Sequence, residues 1–518
     1  MLSRRQLLLL SGEAATALAL SGCATSPPLR KEVFEDFGDP ARPYLGLATT
    51  LREEHSYEAR LEGRIPEAFR GTLYRNGPGL FDRGGLRKRN LLDGDGMVQS
   101  FRFHDTGVHY RNRFVRTDKF RAEQDAGRFI YPSWSTQAPG GFWANFMGLG
   151  HLTGQAGISV FPWRGRLYAF DECALPYELD ADNLETYGIS SLGLPDGFTI
   201  YAAHPKMDSR SGDWLHFGVL YGPSPKLHIT IFEKGGALKL HRVLDMPRNV
   251  YMHDWFVSER YLILSFHPVE IAFWSVFLGR KSLADSLSWK PELGNLIMVL
   301  DRNNDTLPIL LETNACFMWH SCNAYEKGSE IVADFIGYRN PDHFVGADPV
   351  SSAVMAGRRG EYAFPGTVRR YLIDPAARGI REETLGGKGS YEWPRVNELH
   401  RCHEYRFCYM VKTRPGDFFW TIVCRMDLRT GREDSYDFGA GCYLTEPVFV
   451  PLPGRTYLPA DSSEPGFLLT EAYDSATKRS FLAVLQADNI GAGPVAIVHL
   501  VHHVPFSYHG WWSPGTRS

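Results

Sequence analysis

From about Gly71 to the C-terminus the chain is a succession of short β-branched and aromatic runs, each closed by turn residues, and this limits how it can fold more than any other feature. Gly71-Thr-Leu-Tyr-Arg leads into Asn76-Gly77-Pro78-Gly79, and Gly165-Arg-Leu-Tyr-Ala-Phe and Tyr261-Leu-Ile-Leu-Ser-Phe follow further on. Phe419-Trp-Thr-Ile-Val-Cys-Arg-Met ends at Asp427-Leu-Arg-Thr-Gly431, where glycine supplies the positive φ of a hairpin turn. Aromatic residues at 13%, beside 51 Gly and 32 Pro, suit strands and tight turns better than long helices. No apolar run reaches the roughly 18 residues that a spanning helix requires. Many hairpins, with no long linker and no strict repeat, point to an all-β chain: a β-propeller, which keeps only short protected sheet edges, or a pair of β-sandwiches. Lys+Arg 56 against Asp+Glu 59 leaves a formal charge of −3, which supplies no dense positive field, so no nucleic-acid partner is expected.

The first 23 residues, MLSRRQLLLLSGEAATALALSGC, read as an address rather than as part of the fold. Arg4 and Arg5 precede the apolar Leu7 to Leu10 as in a twin-arginine export signal. Leu20-Ser21-Gly22-Cys23 is similar to a bacterial lipobox, whose thiol is acylated. Glu13 interrupts the stretch, which is too short to span a bilayer, so a lipid on Cys23 would be the tether. The expectation is an exported bacterial protein, periplasmic or tethered to the membrane through Cys23, with residues 24–45 as a linker and residues 46–518 as one domain. Seven further cysteines (Cys173, Cys316, Cys322, Cys402, Cys408, Cys424 and Cys442) contain no C-x-x-C pair, which disfavours zinc ribbons and thioredoxin-type chemistry. Disulfides within Cys402/Cys408 or Cys316/Cys322 and buried free thiols both remain open.

Two stretches break the strand pattern. Gly140 to His151 is rich in glycine and aromatics, with Phe142, Trp143, Phe146 and Met147. Ile271 to Leu287 reads as an amphipathic helix carrying Phe273, Trp274, Phe277 and Leu278 beside Arg280 and Lys281. Such a helix either caps the core or dips into a bilayer, with aromatics buried and cations meeting the headgroups.

Among 18 histidines, four have distinctive company: Ala203-His204-Pro205-Lys206, Met252-His253-Asp254-Trp255, Trp319-His320-Ser321-Cys322, and Ser507-Tyr508-His509-Gly510. They are far apart in sequence, so a shared metal would have to be assembled by tertiary structure, as the axis of a propeller allows. Three glutamates stand in comparable settings: Asp171-Glu172, Glu392-Trp393-Pro394-Arg395, and Glu446-Pro447-Val448-Phe449. A buried carboxylate needs a donor, and a metal-bound imidazole offers its second N–H. No G-x-S-x-G stretch supports a serine nucleophile. Asp93-Gly94-Asp95-Gly96 lacks the later carboxylates of a calcium loop and reads as a hairpin turn.

Together these segments resemble the carotenoid cleavage oxygenase family. The resemblance runs in family order from Arg75-Asn76-Gly77-Pro78, through Leu92-Asp93-Gly94-Asp95-Gly96-Met97, the four histidine contexts, Glu-Trp-Pro-Arg and Glu-Pro-Val-Phe-Val-Pro, to Pro505-Phe506-Ser507-Tyr508-His509-Gly510. It implies a seven-bladed β-propeller with a helical and loop dome over an axial metal site. It also implies Fe(2+) bound by His204, His253, His320 and His509. Glu172, Glu392 and Glu446 would accept hydrogen bonds from His253, His320 and His509, leaving His204 without such a partner. The family's usual Phe-Gly-Phe-His is Phe-Ser-Tyr-His here, and its usual aromatic before Asp93 is Leu92, changes expected to touch pocket lining more than iron binding. The implied reaction is scission of a conjugated C=C bond of a carotenoid or apocarotenoid by O2, giving two carbonyl products. An apolar polyene substrate would favour a peripheral membrane contact through Phe273 to Leu278. A branch of the family that cleaves stilbenes characteristically has lysine where this chain has Asp171, which counts against a phenolic substrate. Further rivals are an isomerase on the same scaffold and a propeller kept only as a binding module; the latter would have no reason to retain three buried carboxylates.

Overall fold

The strand Gly107–Phe114 shows the period of two that half-buried strands require: Val108, Tyr110, Asn112 and Phe114 are buried while the intervening residues are not. In the same sheet Gly71–Leu80 is buried at all ten positions, as befits a strand covered on both faces. The computed structural model describes residues 26–30, 41–66, 69–146, 154–172, 174–194, 200–346, 348–359, 365–386, 389–417, 419–457 and 463–515. The chain is all-β with few helices. The longest helix among the described residues is Asp118–Ala126, where the Thr117 hydroxyl oxygen accepts the Phe120 N–H at one end and Gly127 at φ 62 ends the other.

Seven antiparallel sheets of four or more strands follow one another along the chain. The first joins Ser56–Glu58, Gly107–Phe114, Asp95–His104, Gly71–Leu80 and the C-terminal Gly510–Pro514. The next five are continuous stretches bounded by Ser159 and Ile189, Lys206 and Asp245, Phe256 and Thr313, Phe317 and Thr384, and Tyr391 and Asp437. The seventh sheet packs Cys442–Leu444 and Val448–Pro451 on Gly466–Asp474, followed by Arg479–Gln486, Pro494–His499 and the early strand Arg60–Gly63. The first and seventh sheets therefore each take a strand from the opposite end of the chain, with Gly510 paired to Arg75 and Arg60 to His499. Seven separate small sheets exclude the two-sandwich alternative, and none of them closes into a barrel among the described residues.

Several local expectations are corrected. Asn76-Gly77-Pro78-Gly79 is not a turn but the middle of Gly71–Leu80, where Asn76 donates to the carbonyls of Ala156 and Ser159. Gly77 is required there because a Cβ would stand 2.6 Å from the Cα of Ser507. Asp93-Gly94-Asp95-Gly96 is not a hairpin turn either. Asp93 accepts from Ser135 N and Thr136 Oγ1, and Asp95 pairs with Lys119 at 2.6 Å. The long helix expected over Ile271 to Leu287 does not form: Ile271 and Leu287 are cross-strand partners in a small hairpin, Val269–Ile271 on Leu287–Trp289. Only Phe273–Phe277 is α-helical, with a single 3-10 turn at Ala284–Ser286, and Gly279 at φ 64 turns the chain away. The stretch read as a linker packs on the body where it is described: Leu29–Arg30 pairs with Leu86–Arg87, Ser26 N–H donates to Gln137, and Tyr44 to Ala48 are buried. Cys316, Cys322, Cys402, Cys408, Cys424 and Cys442 are buried free thiols, and burial pushes Cys402 up to about 12. Residues 1–23, with Cys23, and also Cys173 and Met147 lie outside the described residues.

His216, in the strand Trp214–Leu220, is 1% exposed, and neither ring nitrogen has a hydrogen-bond partner among the described residues. It packs on Trp214, Tyr201 and Phe170, and burial depresses its pKa to about 3. An unfolded histidine takes up its proton near pH 6.5, whereas this one stays neutral down to about pH 3. The unfolded state therefore binds more protons throughout that window, and this group's contribution to stability falls as pH drops through it, by up to about 1.4 kcal/mol per pH unit. Urea unfolding measured between pH 6.5 and 4 should show a shallower acid-side loss for His216→Phe than for the unmodified chain.

Candidate metal centre

Each of the seven large sheets contributes one residue to a single buried cluster. His204 and His253 lie just ahead of the edge strands Lys206–Met207 and Phe256–Val257, His320 lies inside Phe317–Lys327, and His509 immediately precedes Gly510–Pro514. Glu172 follows Arg166–Phe170, Glu392 lies in Tyr391–Arg395, and Glu446 sits between Cys442–Leu444 and Val448–Pro451. All four histidines are buried, and their potential ligand nitrogens lie within 4.8 Å of one another.

The carboxylates decide which nitrogen faces inward. Glu392 Oε2 accepts His320 Nδ1–H at 2.6 Å, and Glu446 Oε1 accepts His509 Nδ1–H at 2.9 Å. Glu172 Oε1 lies 2.6 Å from His253 Nδ1, with the Tyr251 hydroxyl 3.1 Å from both that nitrogen and Glu172 Oε2. An imidazole that gives up its Nδ1 proton to a hydrogen bond presents a bare lone pair at Nε2. His253 Nε2 and His320 Nε2 lie 3.3 Å apart as two acceptors, and His204 Nε2 stands 2.9 Å from His253 Nε2. Lone pairs at such distances repel one another, and a cation between them removes the repulsion. Metal–nitrogen bonds of about 2.1 Å put neighbouring nitrogens of an octahedron about 3 Å apart and opposite ones about 4 Å apart, so the observed separations suit a first-row divalent ion. His204 has no carboxylate partner among the described residues.

At two of the four ligands the electrostatics favour the neutral imidazole. Burial, followed by the other three imidazoles, holds His204 well below the ordinary histidine range, and burial takes His509 down to about 4 against the pull of Glu446. At His320 burial is outweighed by Glu392, and the pKa is raised. Glu446 is kept at about 2, where burial is overcome by Arg395 and His509.

Further partners hold the carboxylates. Tyr338 donates to Glu392 Oε1 at 2.8 Å, and Gly510 N–H donates to Glu446 Oε2 at 2.8 Å. Arg75, fully buried, donates to the carbonyls of Glu446 and Tyr508 and to Ser507 Oγ, tying the Glu446 and His509 segments together. Tyr251, Tyr338 and the role of Arg75 were not legible from sequence. Tyr251 stands two residues before His253 on the same chain segment, which is a usable signal, but Tyr338 carries none. Trp393 adopts φ 58 at a bulge between Glu392 and Arg395, a left-handed conformation that costs of order 1–3 kcal/mol for a bulky residue. That bulge lets Glu392 face His320 while the Trp393 indole packs 4.8 Å from the same imidazole.

One side of the cluster opens into an apolar cavity walled by Leu91, Leu92, Ile158, Phe344, Trp420 and Phe506 among others, with His253, His320 and His509 at its base. Tyr508 also lines it, its hydroxyl donating to the Leu91 carbonyl, whereas Ser507 turns away to donate to Glu471. Of the sequence departures, Leu92 and Tyr508 thus reach the cavity and Ser507 does not. Asp171 is not among the cavity-lining residues; it accepts the N–H groups of Gln155 and Glu172. The Phe273–Leu278 segment lines neither the cluster nor this cavity and shares an aromatic surface with Phe142 and Phe146.

Metal analysis should find one divalent ion per chain, abolished in His253→Ala and in His509→Ala. Glu446→Gln should retain the fold and bind that ion about 10- to 100-fold more weakly, read by chelator competition.

Residues 48–514 match the family model described as retinal pigment epithelial membrane protein. The chain is 29% identical over 501 residues to the apocarotenoid-15,15'-oxygenase of Synechocystis sp., covering 94% of this chain and 99% of the relative. It is 27% identical to an isoeugenol monooxygenase of Pseudomonas nitroreducens, covering 90% and 97% respectively. Its fold superimposes on a crystal structure of cobalt-substituted Synechocystis ACO with a TM-score of 0.83 at 28% identity, covering 92% of this chain and 99% of the other.

Proposed function

The chain belongs to the retinal pigment epithelial membrane protein family of carotenoid cleavage oxygenases, and from that membership we propose that it is an Fe(II) dioxygenase that splits a conjugated C=C bond of a carotenoid or apocarotenoid into two carbonyl products. The observation that carries this reading is the juxtaposition of four inward-facing imidazoles with an apolar cavity. Bound iron would supply the redox chemistry that lets ground-state O2 react with a closed-shell alkene. The chain supplies the rest. Glu172, Glu392 and Glu446 hold the imidazole tautomers and orientations, and four neutral ligands leave the ion its full charge. The aromatic wall of Trp319, Phe344, Trp420 and Phe506 excludes water and offers faces on which a flat polyene packs. We also read the seven sheets as the blades of one propeller around the cluster, because each delivers one of the seven site residues and the first and seventh exchange terminal strands.

Isoeugenol is a phenol, so the relative acting on it raises a second substrate class. A phenolic oxygen favours a cationic partner, and no lysine or arginine lines the cavity among the described residues. Asp171, bonded to backbone outside the cavity, offers no substitute. This favours the polyene. After incubation with a panel of polyenes and hydroxystilbenes, mass spectrometry should detect paired carbonyl fragments from a polyene; cleavage of the stilbenes alone would reverse the assignment.

An apolar substrate is drawn from a bilayer, and we place the membrane contact on the aromatic surface. Trp143 and Trp274 are 72% and 54% exposed, Phe146 packs on Phe277 at 5.6 Å, and Arg280 and Lys281 are exposed beside them. Residues 284–289, which close this hairpin, line a groove that meets the apolar cavity at Phe344. Trp143→Ser combined with Trp274→Ser should lower cosedimentation with zwitterionic vesicles several-fold without changing the melting temperature. The leader with Arg4, Arg5 and Cys23 supports export with a lipid tether, which intact-mass analysis of the mature N-terminus would reveal as an acylated Cys23.

A further inference from the structure

The four imidazoles are reached by two cavities of opposite chemistry. The apolar one touches His253, His320 and His509. A second touches His204, His320 and His509 from another side. His320 and His509 line both; His253 faces only the apolar cavity and His204 only the polar one.

The second cavity is walled by three cations and three anions. Lys206 pairs with Asp254 at 2.6 Å, Arg401 with Glu398 at 2.9 Å, and Arg395 with Glu398 at 2.7 Å and Glu446 at 3.5 Å. Their charges cancel, so the wall does not repel a dication as a purely basic one would. The Ser321 hydroxyl adds a further polar group. The rim residues Met207, Glu398 and Trp511 are partly exposed, whereas Asp254 and Glu446 deeper in are buried. A hydrated divalent ion can exchange its water for carboxylate and hydroxyl oxygens along such a wall. The apolar cavity offers almost nothing to replace the hydration shell, and a bare ion crossing it would bear the desolvation cost of an unpaired buried charge.

We propose that the metal ion loads into the folded chain through the polar cavity, from the rim at Met207 and Glu398, past Asp254 and Glu446, to His204. The apolar cavity is left to the substrate. His204, His320 and His509 are then the ligands that the ion meets from the polar cavity, and His253, which faces only the apolar one, completes the set. This rests on the four histidines being a metal site and not on which substrate is cleaved.

The test is stopped-flow uptake of Co2+ by the chelator-stripped full chain, followed by the visible absorption of the bound ion, with no substrate present. Met207→Trp, which narrows the rim, should slow uptake at least ten-fold while leaving the final stoichiometry and affinity unchanged. Val350→Trp, which fills part of the apolar cavity, should change the rate less than two-fold. The reverse pattern overturns the proposal, as do equal rates in all three proteins, which would mean that the ion enters by wholesale opening of the fold. Should Met207→Trp fail to fold, Met207→Arg serves instead: a positive charge at the rim should slow uptake at low salt, and added NaCl should restore it; a salt-independent rate equal to that of the unmodified chain refutes the route. Metal uptake is read without turnover, so failure here leaves the cleavage reading standing, and the converse holds.

Discussion

Three contacts between imidazole Nδ1 and glutamate, two of them hydrogen bonds and the third the 2.6 Å approach of Glu172 to His253, each join different sheets and are the interaction on which the rest of the molecule depends. Glu172 with His253, Glu392 with His320, and Glu446 with His509 lock the tautomers and force the Nε2 lone pairs toward one point. A buried carboxylate without its donors is an uncompensated charge, and breaking such a pair costs about 3–5 kcal/mol. Each carboxylate is accordingly given further partners: the Tyr338 hydroxyl, the Tyr251 hydroxyl, and the Gly510 N–H with Arg395. Arg75 extends the lattice by bonding the main chain on both sides of the Glu446–His509 pair. The sheets are thereby held to one another by polar contacts at the centre as well as by apolar packing between their faces.

A centre held in this way is chemically two-sided. Toward the apolar cavity, Trp393 packs on His320, Trp319 packs on His253, and Phe344, Trp420 and Phe506 continue the wall outward. A flat hydrocarbon bound there meets imidazole, indole and phenyl faces and aliphatic side chains. Toward the polar cavity, Lys206, Asp254, Arg395 and Glu398 form an ion-paired wall. The two environments are separated by the thickness of the ligand rings, so a hydrocarbon and a hydrophilic species can approach the same point without crossing each other's surroundings. The strain stored at Trp393 belongs to this division, since the bulge that turns Glu392 to the ligand is the one that places the indole in the cavity wall.

The aromatic surface formed by Phe142, Trp143, Phe146, Trp274 and Phe277 shows how a local pattern and a tertiary one can diverge. Hydrophobic residues at helical spacing over Ile271 to Leu287 read as one long helix, yet β-pairing of Ile271 with Leu287 is available and wins. The exposed rings sit at the tip of that hairpin and meet a second aromatic stretch more than 120 residues earlier in the chain. No periodicity within either segment encodes the meeting.

By itself the sequence determined the all-β class, because short apolar runs punctuated by glycine and proline cannot build long helices. Through its resemblance to the family it also pointed to the seven residues that the structure brings together, because those side chains keep their motifs in order along the chain. Tertiary structure alone decided what Asn76-Gly77-Pro78-Gly79 and Asp93-Gly94-Asp95-Gly96 are. Turn-type residues are also what a strand needs where another backbone passes close, as at Gly77 against Ser507, and what a buried anchor needs where a carboxylate meets Lys119. Tyr338, Arg75 and the existence of a polar cavity opposite the apolar one were equally hidden. Such features arise from which sheets become neighbours in space, and residues from opposite ends of the chain meet there because sheet packing, not chain order, sets those distances.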